Sequence, residues 1–175
     1  AVWCARDIIS DEPFAVLLPD MIMDAEPAAM GQAMQAYDQA GGGNIIVVEP
    51  CPPGEAHKYG IVAVEGEGRL TKMTGMVEKP APGTEPSNLF ISGRYILQPD
   101  IFEILETQER GAGGETQLTD GMANLMKTQD FHAFEYEGVT YDCGDKIGLL
   151  RANVAFALAR PDLADAARAA IQALL

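Results

Sequence analysis

Four short clusters hold the side chains that could do chemistry. Asp20 follows the apolar run Phe14-Ala15-Val16-Leu17-Leu18 and Pro19. If that run is a strand of an open α/β sheet, Asp20 stands at its carboxyl end, where such folds bind ligands. A carboxylate there can hold Mg²⁺, which takes one or two carboxylates and leaves other positions to substrate phosphates and water. Its alternative role is a turn or cap closing the strand. Asp24 reads more simply as the cap of a following helix. Glu78-Lys79-Pro80 ends a second extended segment. Neighbouring side chains on a strand point to opposite faces, so these two serve one cluster of atoms only if the strand ends there. Pro80 restricts Lys79 to extended geometry, which suits Lys79 to a phosphate and Glu78 to hydroxyls, or makes both a solvated charge pair.

The third cluster is Asp142-Cys143-Gly144-Asp145-Lys146. Asp142 is a candidate second metal carboxylate, Gly144 permits tight backbone geometry, and Asp145 can cap a helix whose N-terminus favours anions. The fourth is Tyr59-Gly60, where the missing side chain lets a ligand approach the backbone or merely marks a bulge. Cys143 as a nucleophile would need a nearby base, and His57 and His132 stand in no motif that supplies one. A phosphohydrolase built on Asp20 would need an acid two residues on, where Ile22 stands.

The elements that must position these groups follow from periodicity. Phe14 to Leu18 reads as a short strand buried on both faces of a parallel sheet. Glu26 to Gln39 reads as a helix, with Met30, Met34 and Tyr37 at helical spacing and Gly41-Gly42-Gly43 ending it. Asn44 to Val48 is a second buried strand, so the three form a βαβ unit. Lys58 to Val64 and Leu70 to Val77 are strands around Gly66-Glu67-Gly68, and Leu89 to Leu97 is another. Pro99-Asp100 opens a short helix through Glu106. Thr116 to Thr128 reads as a helix with Leu118, Met122 and Leu125 on one face. Phe131 to Tyr136 alternates as a half-buried strand, and Val139 to Asp142 is a last extended piece. Asp145 to Ala159 and Pro161 to Leu174 are helices.

The 175 residues suit one domain, and 12 Lys+Arg against 26 Asp+Glu leave a net charge of −14. That excess argues against broad binding of nucleic acid or anionic membrane, which needs basic stripes. It leaves room for a small phosphorylated ligand held by one or two local cations. Cys4, Cys51 and Cys143 are odd in number and lack CxxC spacing, which fits a reducing cytoplasm. No apolar run approaches the roughly 20 residues of a membrane span, and no signal-peptide pattern opens the chain.

Several stretches together resemble one family. Leu17-Leu18-Pro19-Asp20, Tyr59-Gly60-Ile61-Val62, Val77-Glu78-Lys79-Pro80, Pro86-Ser87-Asn88-Leu89, Ser92-Gly93-Arg94-Tyr95, Gly114-Glu115-Thr116-Gln117-Leu118-Thr119-Asp120 and Tyr141-Asp142-Cys143-Gly144 occur in this order. They are similar to the bacterial UTP–glucose-1-phosphate uridylyltransferases. The Leu-Pro-Asp and Glu-Lys-Pro segments resemble sugar-phosphate nucleotidylyltransferases in general, and the Glu-Thr-Gln-Leu-Thr-Asp and Asp-Cys-Gly segments narrow the match.

The resemblance implies an α/β fold, a Rossmann-like mixed sheet flanked by helices, with a β-rich insertion and C-terminal helices. It implies transfer of a uridylyl group from UTP to glucose 1-phosphate, giving UDP-glucose and pyrophosphate, with Mg²⁺ as cofactor. Asp20 and Asp142 would hold the metal, Lys79 the sugar phosphate, and Glu78 the glucose hydroxyls, with backbone groups of Gly60 and Ile91 completing the pocket. Another nucleotide (dTTP, CTP or ATP), or a non-catalytic sugar-phosphate-binding subunit, is the alternative. A homo-oligomer is expected. The family's glycine-rich phosphate loop and uracil-reading residues have no counterpart here. Residues 1–175 are therefore expected to be the C-terminal part of one nucleotidylyltransferase domain, inactive alone.

Overall fold

The computed structural model describes residues 1–108 and 117–174. After a 3₁₀ turn at Val2–Ala5 the elements run α1 (Arg6–Ile9), β1 (Phe14–Leu17), β2 (Met21–Asp24), α2 (Ala29–Ala40), β3 (Asn44–Pro50), β4 (Gly60–Glu65), β5 (Leu70–Glu78), β6 (Leu89–Leu97), α3 (Ile101–Thr107), α4 (Leu118–Leu125), β7 (Phe131–Glu135), β8 (Val139–Asp142), α5 (Lys146–Ala159) and α6 (Ala164–Gln172). Six strands form one mixed sheet in the order β1-β6-β3-β7-β5-β4, with β3 and β7 parallel and the other pairs antiparallel. Strands β2 and β8 form a separate antiparallel ribbon.

The apolar run of β3 explains the layers. Ile45 and Val47 pack with Ala29, Ala33 and Ala36 of α2, whereas Ile46 and Val48 face the cluster built with Ile101, Phe102, Met122 and Leu125 of α3 and α4. Successive residues of a strand point to opposite faces, so a continuous run is what a strand covered on both sides requires. Each such fully buried aliphatic side chain contributes roughly 2 kcal/mol. The β-rich middle of the chain joins this same sheet: β5 lies between β7 and β4, and β4 also pairs with β6, antiparallel, at Ile61 and Phe90.

Several expectations are corrected. The run at Phe14 is an antiparallel strand, paired with β6 alone among the described residues. Phe14 and Val16 pack inward and Phe14 stacks on Phe102, while Leu17 is 51% exposed. β1 and β3 are parallel to each other only through β6 between them. Helix α2 starts at Ala29, not Glu26, because a residue preceding Pro27 is biased out of the helical region. Asp24 caps nothing: it ends β2, and the α2 cap position is Ala28. Strand β7 is more buried than its alternation suggests, with Phe131, Ala133 and Phe134 all covered. The helix expected from Thr116 starts at Leu118, and Thr116 itself lies outside the described residues.

Candidate active site

Ladder geometry joins two carboxylates that are 122 positions apart in the chain by number, Asp20 and Asp142. In the β2–β8 ribbon Met21 pairs with Asp142, and the Cys143 amide donates to the Asp20 carbonyl at 2.7 Å. The side chains converge beside Gly144. A Cβ on that glycine would lie 3.1 Å from Asp142 Oδ1 and 3.3 Å from Asp20 Oδ2. The Gly144 amide donates to Asp142 Oδ1 at 3.0 Å, and the Tyr59 hydroxyl donates to Asp142 Oδ2 at 3.4 Å. Burial first, and the Asp142 charge second, push the Tyr59 phenol up to about 12, so it remains a proton donor across the physiological range.

Among the described residues no Lys or Arg forms an ion pair with either carboxylate. No group of three or more His, Cys, Asp or Glu side chains converges there either. Two convergent hard oxygen donors outside any direct ion pair suit Mg²⁺ completed by phosphate and water oxygens.

The second half of the site is the end of β5. Gly60 pairs with Glu78 across the β4–β5 ladder, and a Cβ at Gly60 would come within 3.0 Å of Glu78 Oε2 and 3.1 Å of Ile91 Cδ1. Only glycine lets the β4 backbone, the Glu78 carboxylate and the Ile91 side chain share this space. Lys79 is not extended as expected before Pro80; its φ is +47°, in the left-handed region. Its amide donates to the Tyr59 carbonyl at 2.9 Å, which ties the turn to the start of β4. The turn ends the strand at Glu78 and so escapes the alternation that would part the two side chains. Lys79 Nζ lies 3.9 Å from Glu78 Oε1, with the lysine 63% and the glutamate 27% exposed. A non-glycine residue held at positive φ is strained, and such residues cluster where function requires them.

A cavity of about 380 Å³ joins the two halves; Asp20, Tyr59, Gly60, Glu78, Lys79, Ile91 and Asp142 all line it, together with Thr119 and Tyr95. Every residue expected at the site therefore lies on one cleft. Three contributors had no assigned role. The Thr119 hydroxyl donates to Glu78 Oε2 at 2.9 Å. Tyr59 reaches Asp142. Arg94 donates from Nη1 to the Leu18 carbonyl at 2.9 Å and from Nη2 to the Met21 carbonyl at 2.5 Å, bracketing Asp20. Arg94 and Thr119 stand in resemblance-bearing stretches, but nothing in their spacing discloses these partners. Asp145 caps α5 as expected, accepting from the Ile147 and Gly148 amides at 2.9 and 3.0 Å. Those two bonds hold its carboxyl below the usual range.

Comparison with known proteins bears on the family and the fold. The model of the nucleotidyl transferase family matches residues 1–157. The UTP–glucose-1-phosphate uridylyltransferase of Bacillus subtilis (strain 168) is 46% identical over 166 residues, covering 94% of this chain and 56% of that protein. The one from Komagataeibacter xylinus is 43% identical over 148 residues, covering 84% of this chain and 52% of that protein. The chain thus spans little more than half the length of these curated relatives. Among solved structures, a UDP-glucose pyrophosphorylase complexed with UDP-glucose superposes with a TM-score of 0.86 at 34% identity, covering 91% of this chain and 61% of that one. The UTP-bound enzyme from Acinetobacter baumannii gives 0.85 at 34% identity, covering 99% and 61%. The likeness in sequence and the likeness in fold agree over most of these residues, and the chain belongs to the nucleotidyl transferase family.

Proposed function

We propose that the protein carrying this chain transfers a uridylyl group from UTP to glucose 1-phosphate, giving UDP-glucose and pyrophosphate. On this reading residues 1–175 are the C-terminal part of a single nucleotidylyltransferase domain. The observation that carries it is the meeting of Asp20 and Asp142 with Glu78 and Lys79 on one cavity, each half suited to one part of a sugar phosphate and its metal. The reported relatives bearing the uridylyltransferase name, and the neighbours bound to UDP-glucose and UTP, support the choice of substrates.

The reaction is an in-line attack of a sugar-phosphate oxygen on the α-phosphorus of the nucleotide, with pyrophosphate leaving. It needs positioning and charge neutralisation more than covalent help. Lys79 holds the sugar phosphate as a point charge, and Glu78, beside it, accepts from the sugar hydroxyls. The Gly60 and Ile91 backbones complete the sugar pocket. Asp20 and Asp142 would hold Mg²⁺, which when bound neutralises phosphate charge that two aspartates alone would repel. Tyr59 and the Gly144 amide keep the Asp142 carboxylate turned to that point.

Three free cysteines without disulfide spacing support a cytoplasmic protein, and among the described residues no helix is long and apolar enough to cross a membrane. Outward-facing Ile147, Leu149, Leu150 and Phe156 on α5 support assembly into a homo-oligomer.

The test is pyrophosphate release by the full-length protein with glucose 1-phosphate, Mg²⁺ and a panel of nucleoside triphosphates. UTP should serve best, and Lys79→Ala should remove useful turnover while leaving the fold intact. Wild-type-like rates for that variant would sink the assignment. Preference for dTTP, CTP or ATP would keep the chemistry and change the nucleotide.

A further inference from the structure

The Thr119 hydroxyl has no part in the roles assigned so far. It stands in the first turn of α4, a helix packed against β5, and reaches 41 positions back along the chain to Glu78 Oε2 at 2.9 Å. The same oxygen lies close to the Gly60 backbone, 3.0 Å from where a Cβ there would stand. Glu78 Oε1 remains, 3.9 Å from Lys79 Nζ. We propose that Thr119 is a positioning residue that sets the sugar selectivity of Glu78, by engaging one carboxylate oxygen so that the other reads a single hexose hydroxyl. The inference deepens, and rests on, the uridylyltransferase reading of this cavity.

The physical argument concerns rotation. A carboxylate is an acceptor with two equivalent oxygens and about four lone-pair directions. Free to turn about its last bond, it accepts from an axial or an equatorial hydroxyl alike. Pinned at Oε2 by a hydroxyl donor and packed close to a glycine backbone, it offers Oε1 in one direction. A fixed polar group left unpaired by the wrong epimer penalises that epimer, which is how hydrogen-bonding pockets discriminate. Partners behind a site residue commonly change function by about 10-fold or more when removed.

The test compares the full-length protein with Thr119→Val, nearly the same shape without the hydroxyl, and Thr119→Ser, which keeps it. Steady-state constants are measured for glucose 1-phosphate and for its epimer galactose 1-phosphate at saturating UTP. Thr119→Val should lose about 10-fold in kcat/KM for glucose 1-phosphate, through KM for the sugar phosphate and not for UTP. Its preference over the epimer should narrow by a similar factor, and Thr119→Ser should restore both. In a Glu78→Gln background, adding Thr119→Val should change the preference little further, because the two residues act as one unit. A Thr119→Val protein that discriminates as the parent does overturns the inference and leaves the cavity reading standing. Equal losses in the Val and Ser variants overturn it in favour of a packing role. A parent protein that takes no hexose 1-phosphate removes the cavity reading, and the inference with it.

Discussion

Asp20 and Asp142 aim one oxygen each at the place a Gly144 side chain would occupy, 3.3 and 3.1 Å from its Cβ. A glycine puts no side-chain atom at that point, whereas any other residue would fill it. The space is therefore kept by the glycine, and it is open to a small cation.

Gly144→Ala should lower activity without lowering stability. The backbone there is not in the left-handed region, so alanine is tolerated and can add about 0.4–1 kcal/mol by restricting the unfolded chain. The added methyl must push both carboxylates by a few tenths of an ångström, and since misplacement of about 1 Å costs about 100-fold in rate, this smaller shift should cost less than that. Thermal melts should stay level or rise, while the Mg²⁺ concentration giving half-maximal rate should climb. An unchanged Mg²⁺ titration would separate the two aspartates from metal binding.

Lys79 holds its position at a cost. A non-glycine residue at φ +47° gives up about 1–2 kcal/mol. Lys79→Gly should relieve that strain and raise stability in chemical denaturation, while sugar-phosphate affinity falls. Lys79→Ala keeps the strain and loses the same affinity, so the two variants should differ in stability and agree in binding. Equal stabilities would show that the turn is relaxed.

Arg94 ties the backbone around Asp20 through two carbonyls three residues apart. A guanidinium fork spans them and an ammonium does not. Arg94→Met and Arg94→Lys should each cost about 2 kcal/mol of stability, and both should weaken Mg²⁺ dependence together with turnover. Arg94→Lys with full stability and activity would assign the arginine to charge alone.

Glu49, at the end of β3, accepts from the Thr140 hydroxyl at 2.5 Å. Burial raises its carboxyl above the usual range despite that bond. A raised carboxyl means the folded state binds more protons than the unfolded one above the ordinary glutamate range. Stability should therefore fall as pH rises through that window, toward neutral. Glu49→Gln keeps an acceptor for Thr140 and removes the charge. It should flatten this part of the stability profile and raise stability at neutral pH, as urea unfolding between weakly acid and neutral pH would read. A profile unchanged in the variant would place the titration elsewhere.

Much of the architecture was legible in local pattern. The continuous apolar run of β3, the helical spacing before Gly41, and Asp145 ahead of an apolar helix are properties of neighbouring residues, and each element formed. The candidate residues were legible by type and by resemblance, because carboxylates and a lysine after apolar runs are where an α/β sheet keeps its ligands. What failed was set by distant partners. The Phe14 run reads like β3 by composition, yet its neighbours in space cover one face only. Met21–Asp24, too short to show a period, is a strand because β8 lies beside it. Pro80 argued for an extended Lys79, and the bond to the Tyr59 carbonyl outweighed that local preference.

The amino-acid sequence alone determined which groups this protein can bring to its cleft, two aspartates, a glutamate and a lysine, since chemistry belongs to side-chain type. Only the tertiary structure decided what each of them faces. Asp20 meets Asp142 through ladder register, Glu78 meets Thr119 through helix packing, and Lys79 turns beside Glu78 through a left-handed residue. Those relations are distances between segments far apart in the chain, and local propensity carries no record of them.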